Sequence, residues 1–457
     1  MLGESRLAET AKKILQFSKA DQTEVSLCGT QCHLTRFGEN QIHHNVAHGD
    51  TEIRVRSLFG GKTSVVKGND PSDDGVRKLL RIAKDLADVA EGGKGATPLP
   101  ERAPIIPVDS FSERTSGYSP MERAEGVEKI LRVARAKGLL AGGSFFTDTT
   151  ETLIANSNGV EAYHRGTLAS ILCVAMTDDS SGLSSAVSFH VDDLDLEHVG
   201  REAIEKALMG RKPQSFQPGE YTVILEEMAV ADLVTFLAMV GMNARSFQDG
   251  RSFMEDHIDQ QVTGDNITIW DDGHDLRGIP ASFDGEGVPK QKVMLIEKGI
   301  ARGLVYDTRT AAREPGATST GHALPAPSSY GPAAANLFMT PGSATRDEMI
   351  SSTEKGILVS RFHYTNAVHP KKTVITGTTR DGTFLIENGK IAHPIEDLRF
   401  TQSILDAFSN TEALGREGKL VKSIWAPIGT HVPAAKIHNF RFTGTRSSSG
   451  NGVNDHA

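Results

Sequence analysis

The sequence has few cysteines and no long apolar run. Its three cysteines (Cys28, Cys32 and Cys173) cannot make a disulfide framework, and a chain of 457 residues can bury large cores without one. No stretch approaches the roughly 18 consecutive apolar residues of a membrane-spanning helix. The N-terminal segment carries Glu4 and Glu9 where a secretory signal has basic and apolar regions. We therefore expect a cytoplasmic protein that is not inserted in a membrane.

Excess positive charge is also missing. The chain has 49 Lys and Arg against 58 Asp and Glu, which gives a net charge of -9. No cluster of Lys and Arg is large enough to cover one face of a domain, so nucleic acid is not an expected partner. The glycine-rich stretch FGGKTS lacks the frame of a phosphate-binding loop. The apolar content of 38% and the charged content of 23% are typical of a soluble globular protein.

Linker-like stretches divide the chain into segments. GGKGATPLPERAPIIP and KPQSFQPGE mix glycine, proline and charge, which is typical of connections between domains. We predict an N-terminal α+β domain over 1–105, a middle α+β domain over 106–215 that packs on the first, and a β-rich domain over 216–445. The polar, Gly/Ser-rich tail over 446–457 is predicted to be disordered.

Periodicity predicts the α+β class. Helical spacing of apolar residues marks the N-terminus, and Ser119-Pro120-Met121-Glu122 has the pattern of a capping box at the start of another helix. Asn158-Gly159 between two strand-like runs predicts a hairpin. From residue 221 onward, strands separated by glycine-containing turns favour a sandwich or a curved, barrel-like domain.

One helix interrupts these strands. The segment from Glu226 to about Gly241 is apolar around most of its circumference and begins with two acids, Glu226 and Glu227. On these residues alone, a buried helix whose acids stabilise its N-terminal dipole is the favoured interpretation.

Ordered motifs around this helix resemble those of the TldD/PmbA family. They are RFGENQIHHN and EIRVRSLFGGKTS near the N-terminus, then RSFQDGRSFMEDHIDQQVTGDNITIWDD, ASFDGEGVPKQKVMLIEKGIARGLVYDTRTAARE, STGHA and TRDGTFLIENGKIAHPI. The resemblance covers about residues 5 to 445. It implies one of two related subunit types, of which the TldD type is a zinc peptidase acting on unstructured peptides.

The resemblance also implies where that zinc site would lie. The TldD type takes its ligands from a His-Glu-x-x-x-His helix and a C-terminal cysteine, and the motif positions fall here on Glu226, Glu227 and Ala231. The C-terminal segment SIWAPIGTHVPAAKIHNF contains no cysteine. We therefore predict no catalytic residue, metal ligand or cofactor in this chain. The resemblance indicates the PmbA (TldE) type, a non-catalytic subunit whose zinc would be carried by a TldD-like partner.

Two other residue clusters are weaker candidates for a metal site. Cys28, Cys32, His44 and His48 lie close in sequence, but NVAHGD reads as a turn and histidines on sheet faces are usually ordinary polar packing. The other cluster is spread through the β-rich domain and consists of His363, His369, His393 and Asp381. Asp284 in FDGEGVP is more typical of a turn acid than of a catalytic acid.

Three functions follow from these observations. The first is the non-catalytic subunit of a TldD/PmbA-type peptidase, which would hold extended peptides by strand addition. The second is a self-sufficient hydrolase with a metal site outside the family pattern, and the third is a peptide-binding or scaffold homodimer with no enzyme partner.

Overall fold

Two β-sheets organise the computed structural model, which describes residues 1–90, 97–423 and 428–445. The predicted tail over 446–457 lies outside the described residues. None of the helices in the described ranges combines the length and the hydropathy that crossing a bilayer requires.

The first sheet is antiparallel and has the strand order β3-β2-β1-β4-β5-β6. Its strands are β1 (Gln22–Gly38), β2 (Gln41–Phe59), β3 (Lys62–Gly68), β4 (Leu140–Asn156), β5 (Glu161–Met176) and β6 (Ser181–Ser188). The predicted Asn158-Gly159 hairpin is confirmed, since it joins β4 to β5 and Gly159 has a φ of 89°. This sheet takes strands from both of the first two predicted domains, whose boundary stays a prediction.

The sequence prediction was wrong for one segment of this sheet. NVAHGD, read as a turn, lies within β2 and pairs with β1 in continuous register from His44 to Leu58. Gly49 does not end the strand because its backbone pairs with Gln31 like those of its neighbours. Partner-strand pairing therefore overrides the local turn preference.

Helices cover one face of the first sheet. The larger helices there are α1 (Glu4–Phe17), α2 (Asp73–Val89), α4 (Pro120–Ala136) and α5 (Leu196–Met209), and a short α3 (Glu113–Ser116) precedes α4. Val25, Leu27 and Phe145 point to this face and are fully buried. The opposite face of β4 to β6 packs on the C-terminal domain, where Ile154 and Ala162 contact Phe283.

The second sheet has eleven strands and contains both parallel and antiparallel pairs. Its strands are β7 (Gly219–Leu225), β8 (Ile269–Asp271), β9 (Val293–Glu297), β10 (Ile300–Ala301), β11 (Asn336–Met339), β12 (Lys355–His369), β13 (Val374–Glu387), β14 (Lys390–Pro394), β15 (Leu398–Ser403), β16 (Thr411–Lys422) and β17 (Gly429–Thr445).

Pairing between β7 and β17 closes part of this sheet on itself, along the path β17-β15-β13-β12-β7. Phe362, Phe400 and Phe440 pack together there, with ring centroids 4.3 to 5.8 Å apart. The predicted α+β class and the β-rich, barrel-like C-terminal domain are confirmed.

The remaining helices belong to the C-terminal domain. They are α6 (Glu227–Gly241), α7 (Ala244–Gln248), α8 (Thr308–Ala311), α9 (Arg346–Ser351) and α10 (Ile404–Ser409). Only α6 is long, and it packs against β12 and β17.

Replacement of Ser119 tests the predicted capping box, which the structure confirms. The Ser119 hydroxyl accepts from the Glu122 N–H at 3.2 Å, and the Glu122 carboxylate accepts from the Ser119 N–H at 2.8 Å. We expect Ser119→Ala to lower the stability of the first sheet and its helices by about 1 kcal/mol, because the helix start loses a cap. The measurement is urea unfolding followed by circular dichroism. Ser119→Asp is the control and should unfold close to the wild type.

Candidate functional site

The three positions that correspond to the TldD-type zinc motif, Glu226, Glu227 and Ala231, lie at the junction between β7 and α6. The Glu226 N–H donates to the Val359 carbonyl oxygen at 3.0 Å, which fixes the end of β7 beside β12. The helix then begins at Glu227, with Glu226 as its N-cap residue. Most of its residues are buried, as the sequence predicted.

Two cations hold the Glu226 carboxylate. Lys206 Nζ lies 2.7 Å from Glu226 Oε2, and Arg346 Nη1 lies 3.0 Å from Glu226 Oε1. Lys206 comes from α5 on the first sheet and Arg346 from the start of α9, so the contact joins two parts of the chain. Both carboxylate oxygens of this residue are therefore already engaged by charged partners.

Charge balance around Lys206 depends on a second acid. Glu202 Oε1 lies 2.7 Å from Lys206 Nζ, and the Ser184 hydroxyl donates to Glu202 Oε2 at 2.5 Å. Burial alone would lower the pKa of Lys206, but the Glu226 and Glu202 carboxylates outweigh it and raise that pKa. Burial opposes ionisation of Glu202 as well, yet Lys206 and Lys419 lower its pKa to about 2. The amine thus stays charged between two carboxylates.

The other two motif positions offer little to a metal ion. Glu227 is half-buried, and burial, followed by the neighbouring charge of Glu226, raises the pKa of its carboxyl group. Ala231 lies one helical turn further on, is 3% exposed, and has a methyl side chain with no donor atom.

A cavity of about 190 Å³ lies beside this turn of α6. Ala231, Asp232 and Thr235 line it from the helix, Leu172 and Leu183 from the first sheet, and Arg361 to Thr365 from β12. The Thr365 hydroxyl donates to Asp232 Oδ2 at 3.2 Å. Burial raises the pKa of the Asp232 carboxyl group to about 7, so at neutral pH this acid is close to half protonated.

The residues at the motif positions do not fit a zinc ion. A catalytic zinc needs about three protein ligands with an open position for water. Here Glu226 is neutralised by two cations and Ala231 has no donor atom. Within the described ranges, no group of three or more His, Cys, Asp or Glu side chains is arranged to hold a metal ion.

The structure places Cys28, Cys32, His44 and His48 on one face of the β1–β2 pair, because Cys32 lies opposite His48 and strand residues alternate between faces. Burial, followed by the hydrogen bond with Asp148, raises the pKa of the Cys32 thiol to about 12. Burial also raises the pKa of Cys28. Among the residues that the structure describes, these four side chains do not form a group of three or more arranged to hold a metal ion.

The histidines of the C-terminal domain have separate local partners. His363 Nε2 accepts from Arg380 Nη1 at 2.7 Å, and His369 Nδ1 accepts from the Lys372 N–H at 3.3 Å. His393 Nδ1 donates to the Pro394 carbonyl oxygen at 3.1 Å. The Asp381 carboxylate, which was grouped with them, binds the Arg361 guanidinium at 2.5 Å.

Asp284 is a turn acid, as the sequence favoured. Its Oδ1 accepts from the Glu286 and Val288 N–H groups at 2.9 and 3.0 Å, and its Oδ2 accepts from the Ala323 N–H at 2.8 Å. Burial, followed by the charge of Glu286, raises its pKa to about 7.

The sequence reasoning missed Lys206, Arg346 and Asp232. Lys206 and Arg346 lie far from Glu226 along the chain, so no spacing rule connects them. Asp232 could have been noticed as an acid in the middle of a largely apolar helix, which is an unusual place for a carboxyl group.

Comparison with family models and with known proteins points to a single family. Residues 218–444 match the PmbA/TldA metallopeptidase C-terminal domain, and residues 114–211 match the central domain of the same family. A metalloprotease TldD homolog of Buchnera aphidicola is 24% identical over 430 residues, which are 87% of each chain. The metalloprotease PmbA of Escherichia coli O157:H7 is 22% identical over 88% of this chain and 89% of its own.

A solved structure shares the fold. TldE from Thermococcus kodakarensis superposes with a TM-score of 0.86 over 96% of this chain and 100% of its own, at 18% identity.

Replacement of Asp232 by Asn should stabilise the protein increasingly as the pH rises. The folded-state pKa is about 7 against an ordinary value of 3.8, so the folded protein retains a proton that the unfolded chain releases between these values. Stability therefore falls as the pH rises through this window, and the neutral amide removes that loss. We expect the gain from Asp232→Asn to grow by on the order of 2 kcal/mol between pH 5 and pH 8. Urea unfolding at both pH values measures it, and a gain that is independent of pH would contradict the assignment.

Proposed function

The chain belongs to the PmbA/TldD metallopeptidase family, and on that premise we propose that it is the non-catalytic, TldE-like subunit of a peptidase. In this proposal it pairs with a TldD-like subunit that carries the zinc ion and hydrolyses unstructured peptides. Our predictions of a cytoplasmic location and of no metal or cofactor in this chain are part of the same proposal.

The proposal rests on the side chains at the three motif positions, Glu226, Glu227 and Ala231, and on their ion pairs. Hydrolysis by zinc needs ligands for the ion and a nearby carboxylate that accepts a proton from the bound water. At these positions one carboxylate is ion-paired to Lys206 and Arg346, and one side chain is a methyl group. The three cysteines all lie upstream of residue 174, so the C-terminal segment supplies no thiolate.

The cavity beside α6 supports a role in binding rather than in chemistry. Its lining combines apolar residues such as Leu172 and Leu183 with the Thr235 and Thr365 hydroxyls and the Asp232 carboxyl group. Such a mixture can accommodate side chains of an extended peptide without cleaving it. The β-rich domain can in addition hold peptide backbone by strand addition.

Metal analysis with co-purification tests the pairing. The chain purified alone should contain well below one zinc per molecule and show no peptidase activity. Mixed with a TldD-like protein encoded in the same genome, it should co-elute from a sizing column, and activity on an unfolded casein should appear. Near-stoichiometric zinc together with activity in the isolated chain would refute the proposal.

Glu227→Gln separates a structural role from a catalytic one. In the assembled complex we expect the activity to stay within a few-fold of the wild type, because the acid that activates water belongs to the catalytic partner. The matched control is the same Glu-to-Gln change at the motif position of that partner, which should abolish turnover. A collapse of turnover with Glu227→Gln in a complex that still assembles would show that this chain participates in the chemistry.

A further inference from the structure

A cavity of about 800 Å³ lies between the β2–β3 hairpin and the C-terminal domain. Its floor is formed by the hairpin, where Arg56 of β2 stands opposite Val65 of β3 and both side chains share one face of the sheet. Its walls come from within residues 307–313 and 323–328 of the C-terminal domain. The volume lies in the range of roughly 300–1,000 Å³ that is typical of small-ligand sites.

Positive charge collects around this cavity. Lys62, Arg309 and Arg313 line it, and none of the three has a carboxylate at ion-pair distance within the part of the chain that the structure describes. Lys62 Nζ donates to the Asp88 carbonyl oxygen at 3.3 Å, a contact that leaves its charge unbalanced. Three cations without acidic partners therefore border one cavity.

The two acids of the cavity lining are already engaged by other groups. Glu286 Oε1 lies 2.9 Å from Arg56 Nη1, and Glu286 Oε2 accepts from the Thr308 N–H at 3.2 Å. The Asp307 carboxylate accepts from the Thr310 N–H at 2.7 Å and caps α8. Neither acid forms an ion pair with the three cations described above.

The composition of the chain makes this excess of positive charge unexpected. Asp and Glu outnumber Lys and Arg by 58 to 49, so an exposed arginine readily finds an acid. Arg277 and Arg302 of the same domain lie 2.6 and 2.7 Å from carboxylate oxygens. Glu314 is next to Arg313 in sequence, but its carboxylate accepts from the Tyr306 hydroxyl. The missing partner of these cations is therefore not explained by a shortage of acids.

We propose that this cavity binds a small organic anion that carries two or more phosphate or carboxylate groups. Arg309 and Arg313 supply planar guanidinium groups, each of which can bind a phosphate or a carboxylate through two parallel hydrogen bonds. At physiological salt the screening length is about 8 Å, so cations around one cavity reinforce each other's attraction for an anion. A ligand with a single negative charge would leave part of the positive charge unbalanced.

The shape of the cavity favours a small molecule over a polymer. Arg56 on the floor and Glu286 of the C-terminal domain both line the cavity, and their ion pair joins the floor to the opposite side at 2.9 Å. A polypeptide or a nucleic acid needs a groove that is open at both ends, whereas a small anion needs one entrance. The contact between the two domains closes the cavity on this side.

Calorimetric titration of the purified chain at physiological ionic strength tests the proposal. Pyrophosphate and citrate are the two probes, and at least one of them should bind with a stoichiometry of one. Binding of pyrophosphate alone identifies a phosphate ligand, and binding of citrate alone identifies a carboxylate ligand. A hexaglutamate peptide is titrated in parallel as the polymeric acid.

Replacement of the two arginines locates the binding site. Arg309→Gln combined with Arg313→Gln should weaken binding of the probe by at least about tenfold, because two charge-assisted contacts are lost. The matched control is Arg132→Gln combined with Arg201→Gln, which removes the same charge from exposed positions of α4 and α5 and should leave binding unchanged. Circular dichroism should show both double variants folded.

Lysine at the same two positions separates charge from geometry. Arg309→Lys combined with Arg313→Lys keeps both charges but loses the guanidinium forks, so its affinity should lie between those of the wild type and the Gln variant. If the Gln double variant does not fold, each single Gln variant gives the same comparison, with an expected weakening of about threefold.

Three results would overturn the proposal. One is the absence of binding of both small probes at millimolar concentration, and another is binding that the Gln variants leave unchanged. The third is binding of hexaglutamate without binding of either small probe. None of them bears on the proposed non-catalytic role, which rests on the junction at α6 and is tested separately by metal content and by Glu227→Gln.

Discussion

Lys206 is a buried cation shared by two carboxylates, and the junction between the two sheets depends on it. Its ammonium group lies 2.7 Å from both Glu202 and Glu226. A buried charge is tolerated only when its partners are in place, and removing one partner of such a pair typically costs about 3–5 kcal/mol. Glu226 stands at the start of α6, so this contact also positions the helix that would carry the chemistry in a zinc-bearing relative.

A second ion cluster connects the same two parts of the chain. Arg56 on β2 lies 2.5 Å from Glu24 of β1 and 2.9 Å from Glu286, which follows the Asp284 turn of the C-terminal domain. Burial would lower the pKa of Arg56, but Glu24 and Glu286 together raise it. The Arg56 cluster uses the face of the first sheet that the helices leave uncovered, whereas Lys206 and Glu202 belong to α5 on the other face. The C-terminal domain is thus held by paired charges at two places, once to the uncovered face of the first sheet and once to helix α5.

The identity of residue 226 and the ion cluster belong to one arrangement. A neutral imidazole at position 226 could not balance Lys206 and Arg346, whereas a carboxylate does so with two short contacts. The carboxylate that these two cations occupy therefore stabilises the interface. The chain has the fold of a solved TldE structure, with a TM-score of 0.86.

Much of this protein could be predicted from its sequence because the relevant signals are local. The capping box at Ser119, the Asn158-Gly159 hairpin and the buried helix after Glu226 each depend on residues a few positions apart. The absence of histidines at 226 and 231 and of a C-terminal cysteine is likewise a property of the sequence itself.

Only the tertiary structure determined the rest, because those features join residues that are distant in sequence. The partners of Glu226 lie on α5 and α9, and the raised pKa of Asp232 requires the cavity that β12 and the first sheet complete. Pairing with β1 turned NVAHGD from a predicted turn into an edge strand. Local preference cannot specify these features, since their energies come from burial and from charges that meet only after the two sheets pack together.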